Sequence, residues 1–223
     1  MSSCLHRNVC RYYVSFMDDS DLWLVMPLLG AGSIIDIIKM KCPKGIKDEA
    51  LLATILKEVC EGINYFHNQS QIHRDIKGGN ILMDEDGEVL LCDFGVSAHI
   101  KVGQPRTTFV GSPCWMAPEV MEQTEGYDFK ADIWSLGITA LELAMGDAPN
   151  SELPAMRVLL VIINSPPPDL PKFEEWTPEF RQFVNDCLQK DPTKRLSITD
   201  IMKQNKKFFE KAKGPEFIVE NFL

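Results

Sequence analysis

IHRDIKGGNILMDEDGEVLLCDFG, residues 72–95, is the stretch on which the reading of this chain turns. It holds two acids, Asp75 and Asp93, with a lysine, an asparagine and an Asp-Gly turn between them. ILM before DEDG and EVLLC after it predict a short β-hairpin. A hairpin returns the chain to its start, so Asn80 just before it and Asp93 just after it are expected to face one point. Taken singly, each of these residues also reads as an ordinary turn or cap residue. What lies around the stretch decides between the two readings.

The chain has 223 residues, 45% of them apolar and 25% charged, enough for a substantial core in one large domain or two small ones. Its net charge of -9 disfavours a nucleic-acid partner, whose phosphates it would repel. Seven cysteines lie scattered without a CxxC pair, so a reduced intracellular protein is expected rather than a disulfide framework. The histidines show no metal-ligand spacing with them. No signal-peptide pattern opens the sequence. The most apolar stretch, residues 131–146, contains Asp132 and Glu142 and is too short to span a bilayer, so no membrane insertion is expected.

Upstream, VCRYYVSFM (9–17) and LWLVMPL (22–28) are β-rich runs joined by DDSD, a hairpin signal. GAGS then offers Ser33 as a cap for a helix over IIDIIKM. Residues 49–67 place Leu51, Leu52, Ile55, Leu56, Val59, Ile63 and Phe66 on one face of a long amphipathic helix. Residues 93–119 lack periodicity, and a loop of that length inside a domain is often functional. Helices are expected at 131–145 and near 153–163, 178–189 and 197–208.

Chemistry can be assigned to the opening stretch from residue types alone. Mg²⁺ is a hard ion that takes oxygen ligands beside phosphates, and Asn80 with Asp93 supply an amide carbonyl and a carboxylate. Asp75 is placed to accept a proton from a hydroxyl that attacks phosphorus. Lys77 is placed to neutralise charge on a transferred phosphoryl group.

The ordered series is more specific than any of its parts: HRDxKxxN (73–80), DFG (93–95), APE (117–119) and DxWSxG (132–137). It resembles the eukaryotic protein kinases over nearly the whole chain. Lys77 in HRDxK is similar to the serine/threonine class, and GSPCWMAPEVME to the sterile-twenty-like group. LWLVM, YDFKADIWSLGITALELA, CLQKDP and KKFFEKAK resemble most the oxidative-stress-responsive and proline-alanine-rich, Fray-like kinases.

The resemblance implies an α+β, protein-kinase-like fold. Residues 1–31 would be a partial N-lobe (end of helix C, a two-stranded hairpin and the hinge) and residues 32–223 a complete, mainly helical C-lobe. It implies ATP and Mg²⁺ as cofactors, with Asp75, Lys77 and Asn80 catalytic and Asn80 and Asp93 on the metal. Met26, Pro27, Leu29, Ser33, Leu82 and Asp93 would line the nucleotide site. Pro27 is unusual there, but the acceptor required of that position survives in proline.

Thr108, with Thr107 as the weaker neighbour, is the implied activation-loop phosphosite, its phosphate pairing with Arg74. His73, Phe94 and Gly95 would position Asp93. Ser112 would bridge Asp75 and Lys77, Asp132 would tie down the catalytic loop, and Glu119 would pair with Arg195. Protein substrates, an upstream kinase acting on Thr108, cation-chloride cotransporters and a cytoplasmic location follow by analogy.

Three family parts are not found in the sequence: the glycine-rich loop, the strand-three lysine and the helix-C glutamate. The chain as written is therefore expected to bind ATP–Mg²⁺ poorly and to transfer phosphate slowly or not at all. The alternative to a kinase is a non-catalytic binding or decoy module.

Overall fold

The computed structural model describes residues 6–92, 113–122, 128–172 and 174–223. Strands β1 (Val14–Asp18) and β2 (Asp21–Val25) form an antiparallel hairpin with Asp18 opposite Asp21, leaving Asp19 and Ser20 as the turn. The expected strands were longer. Val9 instead bridges Leu91 in parallel, and Asn8 and Cys10 exchange backbone bonds with Leu91. Both faces of this hairpin are largely exposed, Phe16 and Trp23 stacking across it at 6.3 Å between ring centroids.

A second sheet orders β3 (Gly32–Ser33), β4 (Ile81–Met83) and β5 (Val89–Leu91), all antiparallel. The β4–β5 pair is the hairpin expected from ILM and EVLLC. Ser33 accepts from the Asp36 N–H and so caps α1 (Ile34–Lys41), as its place before an apolar run suggests. Asp48 does the same for α2 (Glu49–Asn68), and the seven apolar residues expected on its inner face are all buried.

After α3 (Pro118–Met121) comes α4 (Lys130–Met145), buried from Ala131 through Ala144. A helix buried all round loses the amphipathic pattern of a surface helix. Gly146 ends it in the left-handed conformation, its N–H bonding the Glu142 carbonyl at 2.8 Å. Gly137 lets α6 (Pro178–Cys187) come close, because a Cβ there would lie 2.7 Å from Cys187 Cβ and Leu188 Cγ. Between them in sequence lies α5 (Ala155–Asn164).

The expected last helix is broken at Asn205 into α7 (Ile198–Gln204) and α8 (Lys206–Phe209). Asn205 bonds Asp186 at 2.9 Å and the Ile201 carbonyl at 3.1 Å, fixing the break to α6. Phe180, Phe183, Phe208 and Phe209 pack ring against ring beneath it. A further helix, α9 (Pro215–Asn221), was not foreseen. No helix among the described residues is long and apolar enough to cross a membrane. Cys42, Cys60, Cys114 and Cys187 are free thiols.

Candidate active site

The catalytic-loop candidates sit between α2 and β4. Lys77 Nζ donates to both carboxylate oxygens of Asp75, at 3.0 and 2.8 Å. Asn80 Nδ2 donates to the Asp75 carbonyl at 2.7 Å and to its Oδ2 at 2.8 Å. The three residues thus form one hydrogen-bonded unit. The Asp75 side chain is 38% exposed, reachable by an incoming group. With Nδ2 committed twice, Asn80 keeps Oδ1 as the atom that fits a cation.

His73 is fully buried. Its Nε2 faces the Cys92 carbonyl at 3.0 Å, so Nε2 carries the proton, and Nδ1 then accepts from the Asp75 N–H at 3.3 Å. The Cys92 N–H bonds the Asn80 carbonyl at 2.9 Å. The backbone at residue 92 is therefore pinned beside Asn80 and His73. Asp93, Phe94, Gly95, Thr107, Thr108 and Ser112 lie outside the described residues. Among the described residues no cluster of three His, Cys, Asp or Glu could hold a metal ion. Of the two expected Mg²⁺ ligands, the described one, Asn80, has an oxygen that fits.

Helix α4 organises the loop from below through a polar stripe at Asp132, Ser135, Thr139 and Glu142. The spacing of three, four and three keeps these four on one face. Asp132, fully buried, accepts at Oδ2 from the His73 N–H (2.9 Å) and His67 Nε2 (2.9 Å), and at Oδ1 from the Arg74 N–H (2.9 Å). Ser135 Oγ donates to the Trp115 carbonyl at 2.7 Å. Thr139 Oγ1 reaches the Ile76 carbonyl at 3.4 Å. Glu142 Oε2 accepts from the Gly78 N–H at 2.8 Å and from Trp115 Nε1 at 3.0 Å.

The stripe meets loop residues 73, 74, 76 and 78 in the order in which both run. Burial pushes the Glu142 carboxyl above the usual glutamate range, partly offset by its bonds from Gly78 and Trp115 and by Lys39 and Lys77 nearby. Arg74 takes a left-handed φ of 74°. That backbone costs roughly 1–2 kcal/mol in a residue with a side chain, and the bond from its N–H to Asp132 works against the cost.

Of this stripe, Asp132 was expected to contact the loop. Ser135, Thr139, Glu142, His67 and Trp115 were not. The signal was available: four polar residues on one face of a helix otherwise too apolar to be half-exposed.

Below the loop, Arg195 is buried and donates twice to Glu119, at 2.6 and 3.1 Å. It also bonds the Lys130 and Gln189 carbonyls and lies 5.2 Å from the Trp134 ring centroid. Met26, Pro27 and Leu29 are half-buried in the connection from β2 to β3. The Leu29 carbonyl accepts from the Gly32 N–H at 3.1 Å. Ser33 and Leu82 are direct partners across β3 and β4. The Ser33 hydroxyl is engaged in capping α1 and bonds the Asp36 carboxylate at 2.6 Å.

A short loop that binds its own acid, base and amide into one unit, backed by a buried helix and continuous with a β-hairpin, defines a class. Residues 1–208 match the protein kinase domain, and the chain belongs to the protein kinase family. Its mainly helical build with small sheets is that expected from the resemblance.

More narrowly, the chain is similar to germinal center kinase 3 of Caenorhabditis elegans, 45% identical over all of this chain and 41% of that protein. It is 50% identical to the serine/threonine-protein kinase fray2 of Dictyostelium discoideum over all of this chain and 22% of that protein. With serine/threonine-protein kinase cst-1 of C. elegans it shares 46% identity over 96% of this chain and 42% of that one. The resemblance to the sterile-twenty-like and Fray-like kinases agrees with these relatives. The chain spans between 22% and 42% of their lengths.

Proposed function

We propose that this chain carries the phosphoryl-transfer site of a serine/threonine protein kinase, moving the γ-phosphate of ATP to a protein hydroxyl. The observation that carries the reading is the Asp75–Lys77–Asn80 unit, three side chains joined by hydrogen bonds on a loop fixed to α4. Asp75 orients the acceptor hydroxyl and takes its proton. Lys77 supplies positive charge to the oxygens of the γ-phosphoryl group as it passes from ADP to the acceptor hydroxyl. Asn80 Oδ1 and Asp93 would hold Mg²⁺, which neutralises charge on the β- and γ-phosphates. Met26, Pro27, Leu29 and Leu82 line the adenine side, and Ser33 sits at its edge.

The remaining assignments belong to the same reading. Residues 1–31 are part of the upper lobe and 32–223 the lower. Thr108 is the phosphosite of an upstream kinase, with Arg74 receiving its phosphate. The setting is cytoplasmic stress or ion-transport signalling, with cation-chloride cotransporters as distant targets. The 223 residues by themselves bind ATP–Mg²⁺ weakly, since the glycine-rich loop, strand lysine and helix glutamate are not among them.

Two measurements test this. Thermal stabilisation by ATP should require Mg²⁺ and should be lost in Asn80→Ala and Asp93→Ala. At a hundredfold excess over Kd it amounts to about 2.7 kcal/mol, or roughly 5–11 °C for a chain of this size. Phosphorylation of a Ser/Thr peptide should be slow in this chain, below the roughly 1–100 per second of kinases, and abolished by Asp75→Asn. No Mg²⁺-dependent stabilisation at any ATP concentration would favour the non-catalytic binding module.

A further inference from the structure

Glu142 lies within the quoted stretch YDFKADIWSLGITALELA with no role attached to it, yet it joins two parts of the site that are distant in sequence. Its side chain is almost wholly buried on α4. One oxygen, Oε2, takes both the Gly78 N–H and the Trp115 indole N–H. Gly78 lets the carboxylate sit this close: a Cβ there would lie 3.1 Å from its Cδ and Oε2. Trp115 is held a second time by Ser135, and three residues beyond it the chain enters α3, where Glu119 is clamped by Arg195. Segment 113–117 is thus the anchored end of the stretch that carries Thr108.

We propose that Glu142 is a positioning residue for phosphoryl transfer, locking the loop that bears Asp75 and Lys77 to the anchored end of the 93–112 stretch through a single shared oxygen. The proposal rests on the kinase reading and adds to it a fixed link between the catalytic loop and the segment expected to respond to phosphorylation. A carboxylate suits the task because its charge strengthens both bonds at once. An amide in its place keeps an acceptor oxygen but loses that charge.

The charged and titratable groups facing Glu142 are Lys39 from α1, Lys77 from the catalytic loop with its partner Asp75, and Cys114 from the anchored segment, which also faces Glu152. Burial disfavours the Glu142 charge and holds its carboxyl above the ordinary glutamate range. Asp75 and Glu152 are carboxylates in the same neighbourhood and need controls.

The experiment is a pH titration of the full chain followed by ¹⁵N NMR at two reporters, the Gly78 amide and the Trp115 indole N–H. Both should shift with one common midpoint above that of a free glutamate. Glu142→Gln should flatten both curves, whereas Asp75→Asn and Glu152→Gln should leave them. Different midpoints at the two reporters, or titration persisting in Glu142→Gln, overturn the proposal.

Steady-state phosphorylation of a Ser/Thr peptide adds a functional arm. Glu142→Ala and Trp115→Phe should each lower peptide kcat/KM per folded molecule roughly tenfold, about the worth of one charge-assisted hydrogen bond, with KM for ATP within about twofold. Glu142→Gln should recover most of what Glu142→Ala loses. A residue that merely stabilised the fold would lower the folded fraction and leave kcat/KM per folded molecule unchanged. Loss of Mg²⁺-dependent stabilisation by ATP would count against the kinase reading, while the NMR arm decides the role of Glu142 whether or not the wild-type chain transfers phosphate.

Discussion

Changing Asp132 to Asn alters one buried atom and should unfold the catalytic loop first. The wild-type carboxylate accepts three hydrogen bonds, from the His73 and Arg74 amides and from His67. An asparagine has one acceptor oxygen. If that oxygen keeps the two donors at Oδ2, the new NH₂ faces the Arg74 N–H, donor against donor. One charge-assisted bond, worth about 1.5–3 kcal/mol, is lost and a buried N–H is left unsatisfied. The two surviving bonds weaken from charged to neutral. The sum is about 3–5 kcal/mol, the usual cost of breaking a buried charged network.

For a chain of this size that corresponds to a drop of roughly 6–20 °C in Tm. Arg74 is then released from its left-handed backbone, so the loop relaxes further from its wild-type shape. The assay is thermal denaturation paired with amide hydrogen exchange at residues 73–78. A Tm loss under about 2 °C, with unchanged exchange at Arg74, would refute the claim that Asp132 holds the loop.

Other substitutions probe the surrounding scaffold. Arg195→Met leaves Glu119 and three backbone carbonyls without their Arg195 donor and should cost about 3–5 kcal/mol in urea denaturation. Gly137→Ala forces a methyl between α4 and α6 and should cost about 1–3 kcal/mol, read by the same method.

Glu49 accepts from Lys211 and Thr177, and although burial opposes its charge these bonds hold its pKa below the ordinary 4.5. Its stabilisation is therefore complete above that value and lost as pH falls through the folded pKa. The deficit of Glu49→Gln, about 1–2 kcal/mol at neutral pH, should close in acid on a pH series of melts. Trp23→Lys lies on an exposed strand and should change global stability by no more than about 0.5 kcal/mol. A larger loss on thermal melting would mean that the β1–β2 hairpin is packed on the rest of the chain.

Local pattern was readable where burial is one-sided. The stripe of α2 and the cap at Ser33 follow from residue order, because a helix with one wet face must segregate its residues. The β4–β5 hairpin was legible from its Asp-Gly turn, and the ordered motifs brought Asp75, Lys77 and Asn80 together on paper as they stand in space. The pairing of Val9 with Leu91 was not legible, because a parallel bridge across so much chain leaves no local trace. The break at Asn205 depends on Asp186 in another helix. In α4, burial on every side erased the amphipathic signal, and its few polar residues read as exceptions to hydrophobicity rather than as contacts.

Helix α4 also behaves as a ruler. Its rise of about 1.5 Å per residue sets Asp132 and Glu142 roughly 15 Å apart, and the loop it touches is spaced to match. A single residue inserted between them would rotate everything beyond by about 100° and carry Glu142 out of reach of both Gly78 and Trp115. Point changes to its apolar positions alter packing by degrees, whereas a change in its length destroys the register outright. Tolerance to insertions and deletions should therefore fall to nothing across Asp132–Glu142.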